Sequence, residues 1–377
     1  MTIGVLTEPS SEARVALLPE AVASLVKKGI QVLVQFGAGD RSYSSDEDYR
    51  KAGATLVSRK ELIPGSDILL SIQIPTDIDY TLLRSKVLIG LFQPLYNATV
   101  MQQLAQNGVT CFSLDMLPRT TRAQSMDVLS SQANIAGYKA VLLAAVEYGR
   151  YMPMFMTAAG TIAPAKVLIL GAGVAGLQAI ATARRLGAVV EVFDTRPAVK
   201  EEVMSLGGKF IEVQGVADAS SAGGYAVEQT EEFMERQKAR IAESIAKADI
   251  VITTAQIQGK KAPVLVTEEM ITHMRKGSVI IDLAAATGGN TEITEDNKII
   301  EKHGVRIIGN SSLAATVPAD ASKLYGKNVL NFLQLITNND GTVNLNFSDD
   351  LVQGCCICYD GKIIHERISS VALQPAV

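Results

Sequence analysis

The chain has 377 residues, a formal net charge of −4 at pH 7, 47% hydrophobic residues and 20% charged residues. That length accommodates two domains with substantial cores, and the composition is that of a globular enzyme. The acidic balance and the absence of a basic arm argue against a nucleic-acid partner, and no run of 18 uninterrupted apolar residues offers a membrane span.

The chain opens on a strand at 3–6 rather than a signal peptide. A polar loop over Glu8–Arg14 follows, then a helix over Pro19–Lys28 with proline in its first turn. Gly29 ends that helix, and Gln31–Gln35 reads as the next strand. Gly37-Ala-Gly39 and the acidic stretch Ser45–Tyr49 come next. Apolar runs at 67–72, 87–91 and 110–112 predict further strands separated by helical stretches. Strands alternating with helices indicate an α/β domain with a parallel sheet.

Residues 119–127 are polar and predict a loop entering a helix that runs to Arg150. Ile135, Val141, Leu142, Ala145 and Val146 recur there at helical spacing, as in a long helix joining two domains. The next stretch carries the strongest pattern. Val167–Leu170 is a short apolar strand, and Gly171, Gly173 and Gly176 then spell G-x-G-x-x-G. A helix follows, then a second strand at Val189–Phe193, with Asp194 at its end. Each part has a physical duty in dinucleotide binding. Gly171 permits the tight turn, Gly173 lets the backbone approach a pyrophosphate, and Gly176 lets helix and strand pack closely. The helix N-terminus presents free N–H groups and a positive dipole to phosphate. Asp194 lies about 18 positions after Gly176, near the spacing of about 20 for the acid that bonds the adenosine ribose. A carboxylate there repels a ribose 2′-phosphate, which favours NAD(H) over NADP(H). Arg196 can accept that phosphate, lie along the adenine, or simply be solvated.

Gly215–Glu235 is rich in Ser, Ala and Gly and reads as an exposed mobile loop. Later strands are predicted at 249–253, 279–281 and 305–308, a helix at 319–336, and strand-like pieces at Val343–Phe347 and Ile357–Tyr359. The C-terminal piece is expected to rejoin the first domain. The expected organisation is α/β: two Rossmann-like domains with parallel sheets, the nucleotide-binding one inserted into the other. Residues 1–137 and 310–377 form one, and residues 138–309 the other. Cys355, Cys356 and Cys358 lack a second ligand pair at metal spacing, so with Cys111 they read as buried thiols, and no metal is expected.

The sequence resembles, nearly end to end, the superfamily of alanine dehydrogenases and proton-translocating nicotinamide nucleotide transhydrogenases. The resemblance rests on Glu12-Ala-Arg14-Val-Ala, Gly37-Ala-Gly39, the Gly171–Gly176 turn, Lys276–Ala284 and Asn328-Val-Leu-Asn-Phe332. Alanine dehydrogenases carry a lysine, a histidine and an aspartate for substrate binding and proton transfer. At the matching positions this chain has Gln73, Gln93 and Ala286. Residues 119–132 instead match the transhydrogenase NAD(H)-binding component: Arg119, Arg122, Ala123, Gln124, Ser125, Met126, Asp127, Leu129, Ser130, Ser131 and Gln132.

That resemblance implies hydride transfer from NADH to NADP+ held on a partner domain, with no acid or base required. It implies that Arg119 and Asp127 pair to orient the loop, that Gln124 bridges to the nicotinamide or the partner's nucleotide, that Ser130 bonds the carboxamide, and that Val174 meets the pyrophosphate through its backbone N–H. Gly224 and Tyr225 match a loop that closes over the nucleotide, and Gln237 and Gln256 match positions lining it. The implied partners are an NADP(H)-binding domain and a proton-translocating membrane domain, with a homodimer of this component. The chain is then cytoplasmic, peripherally held at the inner membrane by its partners. Two alternatives stand beside this: an amino-acid dehydrogenase using Arg14 with Tyr138, and a non-catalytic NAD(H)-sensing module.

Overall fold

A computed structural model describes residues 1–76, 78–213, 231–338 and 341–372. The chain divides into two compact units, Met1–Gln132 with Ala315–Val377, and Ala133–Ala314. The joins fall between 132 and 133 and between 314 and 315, each five residues from the positions expected from sequence. The first lies inside one continuous helix, α1 (Val128–Glu147), so no change of composition marks it.

In the first unit, six strands form a parallel array: β1 (Thr2–Val5), β2 (Gln31–Gln35), β3 (Thr55–Val57), β4 (Ile68–Leu70), β5 (Val87–Gly90) and β6 (Thr110–Ser113). Their spatial order is β3-β2-β1-β4-β5-β6. All three residues of β4 and all four of β5 are buried, as continuous apolar runs in a doubly covered parallel sheet should be. Connecting helices carry ordinary signals. Pro19 starts the first, and Ser45 with Asp48 makes a capping box for Asp46–Lys51, where the sequence suggested only an acidic stretch.

The second unit begins within α1 and continues to an antiparallel hairpin, β7 (Phe155–Thr157) and β8 (Gly160–Ile162). Its main sheet contains β9 (Lys166–Leu170), β10 (Val189–Phe193), β11 (Lys209–Phe210), β12 (Ile250–Thr253), β13 (Val279–Asp282), β14 (Lys298–Lys302) and β15 (Val305–Gly309). The order is β11-β10-β9-β12-β13-β15-β14, parallel except for β14. Helix α2 (Val174–Arg185) follows β9, and α3 (Glu231–Ile245) precedes β12. Ile169, Ile250 and Ile252 face a core that includes Ala140 and Ala144 of α1 and Ala179 and Ile180 of α2. Leu168, Leu170 and Val251 face the opposite core, with Ile241 and Ile245 of α3. Period-2 alternation thus feeds two cores, one on each face. The first connections, β9 to β10 to β11, run one way from β9, and β12 lies on its other side. The strand order therefore switches direction between β9 and β12, the place where such sheets bind ligands.

The chain then returns to the first unit. Helix α4 (Pro318–Leu333) buries Tyr325, Val329 and Phe332, and Phe332 packs its ring 5.4 Å from that of Phe112. Strands β16 (Cys356–Tyr359) and β17 (Lys362–Ile363) extend the sheet beyond β6, both antiparallel. Both sheets are thus mostly parallel with antiparallel edges. Cys111, Cys355, Cys356 and Cys358 are free and fully buried. Val343–Phe347 is not a strand. Its backbone makes a single isolated bridge, Val343 with Thr337, although Val343, Leu345 and Phe347 all rest on the core.

Candidate functional site

The glycine turn between β9 and α2 meets the requirements read from its spacing. Gly171 has φ +106°, a left-handed conformation that a side chain resists, and an added Cβ would also strike the Thr254 hydroxyl. Gly176 sits against the Gly171 carbonyl so closely that any side chain would collide with it. At Gly173 an added Cβ would meet nothing within 4 Å, so that position opens onto free space. Gly173 also caps α2 without a side-chain bond, and Val174 is exposed at the first helical position. The unsatisfied N–H groups of the first turn are therefore available to an anion.

Asp194 is fastened to this turn. Its Oδ2 accepts from the Ala172 backbone N–H at 2.7 Å and from Arg196 Nη2 at 2.9 Å. Its Oδ1 accepts from the Arg196 backbone N–H at 2.8 Å and from Arg196 Nε at 2.9 Å. The Asp194 side chain is only 7% exposed. The bidentate fork answers the question the sequence left open for Arg196: in this structure the guanidinium lies on Asp194.

Two further residues of the second unit shape the turn's surroundings. Asn290 donates to the Ala255 and Pro263 carbonyls at 2.8 Å and accepts from the Ala255 N–H at 3.0 Å. Asp282, fully buried, accepts from the backbone of Ala284 and Asn290 and from the Thr294 hydroxyl. Together they fix the segments that follow β12 and β13. Sequence reasoning passed over both roles, although Asp282 ends a strand and Asn290 follows a Gly-Gly pair. Gln256 is exposed, with its amide donating to the Leu283 carbonyl at 2.8 Å. Gln237 is half-buried on α3. Gly224 and Tyr225 lie outside the described residues, and residues 231–235, expected in the same loop, open α3.

In the first unit, the polar segment before α1 forms a short helical turn, Thr121–Met126. Asp127 then caps α1: its carboxylate accepts from the Ser130 N–H at 2.9 Å and the Ser130 hydroxyl at 2.6 Å. The bonds described for Asp127 thus run to Ser130, where the resemblance implied Arg119. Helix α4 holds the segment from below. Asn328 and Asn331 both donate to the Ser125 carbonyl, at 2.8 and 2.9 Å. Arg122 pairs with Asp349 and Asp350. Gln124 and Arg119 are exposed. Backbone and caps are thus rigidly anchored while Gln124 faces outward.

The positions where a dehydrogenase keeps ionisable groups are occupied differently. Gln73 donates to Glu12 at 3.3 Å. Arg14 is committed to Glu12 through Nε at 2.8 Å and Nη2 at 2.6 Å, and to Gln132 through Nη1 at 2.7 Å. Glu8, which sequence reading placed in a polar loop, is buried and accepts from the Ile72 and Gln73 N–H groups. Burial pushes its carboxyl up to about 7, against the lowering effect of those two bonds. Among the described residues no group of three or more His, Cys, Asp or Glu could hold a metal ion, and no helix is long and apolar enough to cross a membrane.

Residues 4–136 match the family described as alanine dehydrogenase/PNT, N-terminal domain, and residues 140–366 match its C-terminal domain. The chain is 46% identical over 368 residues to a Rhodospirillum rubrum protein named as the first part of NAD(P) transhydrogenase subunit alpha, covering 95% of this chain and 96% of that protein. It superposes on a crystal structure of transhydrogenase from Sinorhizobium meliloti with a TM-score of 0.88 at 44% identity, covering 96% of this chain and 100% of that one. An L-alanine dehydrogenase structure superposes with a TM-score of 0.82 at 25% identity, covering 98% and 99%. The chain therefore belongs to the alanine dehydrogenase/PNT family, on its transhydrogenase alpha-subunit branch.

Proposed function

We propose that this chain is the NAD(H)-holding component of a proton-translocating transhydrogenase. Bound NADH supplies a hydride, and NADP+ on a separate domain accepts it. The observation that carries the choice between the family's two chemistries is the neutral set Gln73, Gln93 and Ala286. Amino-acid oxidation needs a cation for the carboxylate and an acid/base for the amine. Hydride passage between two nicotinamides needs neither and asks only for position and exclusion of water.

In this reading the α2 N-terminus and the Val174 N–H hold the pyrophosphate. Asp194 accepts from the adenosine ribose, with Arg196 at its side. Ser130, held by Asp127, bonds the carboxamide, and Arg119 with Asp127 orients the segment that presents Gln124. Gly224, Tyr225, Gln237 and Gln256 complete the enclosure. The partners are an NADP(H)-binding domain and a proton-translocating membrane domain, which keep this chain at the cytoplasmic face of the inner membrane. A homodimer is supported by the hairpin β7–β8: Met154, Phe155, Met156 and Ile162 are all exposed on it or beside it, and Met156 is 70% exposed. Surfaces of that kind mark protein–protein contacts.

The test is rapid mixing of this chain with NADH, a transhydrogenase NADP+-binding domain and an NADP+ analogue whose reduced absorbance is distinguishable. Pyruvate with ammonia is run in parallel. Fast reduction of the analogue with silence toward pyruvate supports the proposal. Turnover of pyruvate with silence toward the analogue refutes it.

A further inference from the structure

The stretch Asn328-Val-Leu-Asn-Phe332 on α4 has no part in the nucleotide contacts proposed above, yet it closes on the segment that carries Gln124. Asn328 and Asn331 are three positions apart and so share one face of the helix. Both side-chain amides donate to one atom, the Ser125 carbonyl oxygen, at 2.8 and 2.9 Å. Asn328 also works from its other end: its Oδ1 accepts from the Ser131 hydroxyl at 2.8 Å. One buried amide thus ties the turn before Asp127 to the first turn of α1 after it.

Ser125 does not need these bonds to be satisfied. The residue is exposed, and its carbonyl would find water without help. Packing does not ask for the amides either, since apolar side chains of similar shape would fill the space with no polar group to desolvate. What the turn lacks is rigidity. Thr121–Met126 is a 3-10 helix of six residues, longer than the usual three or four, and the hydrogen bonds inside that form are poorly aligned. At its end the Asp127 N–H reaches the Gln124 carbonyl only at 3.4 Å. Ala123 and Met126 are buried and fix one side of the turn, while Gln124 and Ser125 stand on the exposed side. The two amides grip the backbone on that exposed side, one residue beyond Gln124.

We infer that Asn328 and Asn331 are positioning residues for the hydride step: by fixing the Ser125 carbonyl they hold Gln124 in one place. The inference rests on the hydride-transfer reading given above. Both asparagines act through the Ser125 backbone. Their loss should therefore be felt in the rate of transfer, where reacting atoms must meet at about 3–3.5 Å, and hardly in the affinity for NADH.

The experiment uses variants of the full chain: Asn331→Ala, Asn328→Asp, and the two combined. Asn328→Asp keeps an acceptor for Ser131 while removing the donor to Ser125. Each is followed by single-turnover hydride transfer to the NADP+-binding domain, by NADH titration, by thermal unfolding and by backbone order parameters of Gln124 and Ser125. Two donors share one acceptor, so each single variant leaves the other bond in place. We expect transfer to slow a few-fold in each single variant and about a hundredfold in the double, more than the product of the singles, with NADH affinity within about twofold. Order parameters at Gln124 and Ser125 should fall below about 0.6 in the double variant. Asn331→Gln, which keeps an amide on a longer arm, should recover part of the rate that Asn331→Ala loses. Should the double variant fold poorly, Asn331→Ala, at a half-buried position, carries the test through the split between rate and affinity. Normal transfer in the wild type with unchanged transfer in the variants, or NADH affinity lost in parallel with rate, would overturn this inference alone. A wild-type chain that passes no hydride would refute the hydride-transfer reading and this inference with it.

Discussion

Asp194 ties the end of β10 to the glycine turn and carries the Arg196 fork, so one carboxylate serves both the loop and the proposed ribose contact. Replacing it with alanine removes a nearly buried acceptor from the Ala172 N–H as well as from the nucleotide. We expect Asp194→Ala to weaken NADH binding by about 1–3 kcal/mol, or roughly 5- to 150-fold, measured by fluorescence titration. Unchanged affinity would mean that another acid holds the ribose. Gln124 projects from a segment anchored by Asn328 and Asn331. Gln124→Asn should slow hydride transfer in the rapid-mixing assay while NADH binding stays within about twofold, and equal loss of both would remove the role assigned to Gln124. Glu8 makes a different prediction. Its folded pKa of about 7 lies above the ordinary 4.5, so its favourable contribution is complete below pH 4.5 and is lost as pH rises through 7. Urea unfolding should show stability falling by up to about 3 kcal/mol across that window from this group, and Glu8→Gln should flatten the slope. A slope unchanged in the variant would assign it to another group. The glycines and Asp194 were readable in sequence because their duties depend on local spacing. Glu8 and Glu12 were not, because their burial is set by partners as distant as Ile72 and Gln73.

At the scale of elements, the helix α1 meets α2 through Gly137, where any side chain would run into the Ala175 carbonyl. Gly137→Ala should therefore destabilise the second unit by about 1–3 kcal/mol in thermal or urea unfolding. Gly173→Ala is the contrasting variant. Its φ of −76° suits alanine and the methyl meets nothing, so stability should stay within about 0.5 kcal/mol while NADH affinity drops. Loss of stability at Gly173, or none at Gly137, would contradict the steric reading. The buried parallel strands were legible as continuous apolar runs. The edges were less so: β3, β11 and β14 are short or exposed and gave no such run. Val343–Phe347 misled for a definite reason. Its alternate side chains rest on the core, which imposes the period of a strand without a neighbouring strand to pair with.

For the whole molecule, the hairpin β7–β8 predicts assembly. Tyr151 and Phe155 stack at 5.2 Å with planes 3° apart, and both are exposed, as is Met156. Met156→Asp should shift the proposed dimer toward monomer in sedimentation velocity at micromolar concentration, with the unfolding midpoint of each unit nearly unchanged. A wild-type chain already monomeric there would refute the dimer.

The first unit is written in two pieces of sequence. Strand β6 acquires its outer neighbour β16 only after residues 133–314 have been made, and α4 brings Phe332 to Phe112 equally late. On a ribosome adding about 5–20 residues per second, that insertion takes roughly 10–40 s to synthesise. During this interval the N-terminal strands exist with an open edge at β6 and without the helix that buries Phe112. The inserted unit, contiguous in sequence, can close first. Synthesis therefore leaves the earliest-made segment the last to be completed, with the open β6 edge available to another chain for as long as the insertion is being made.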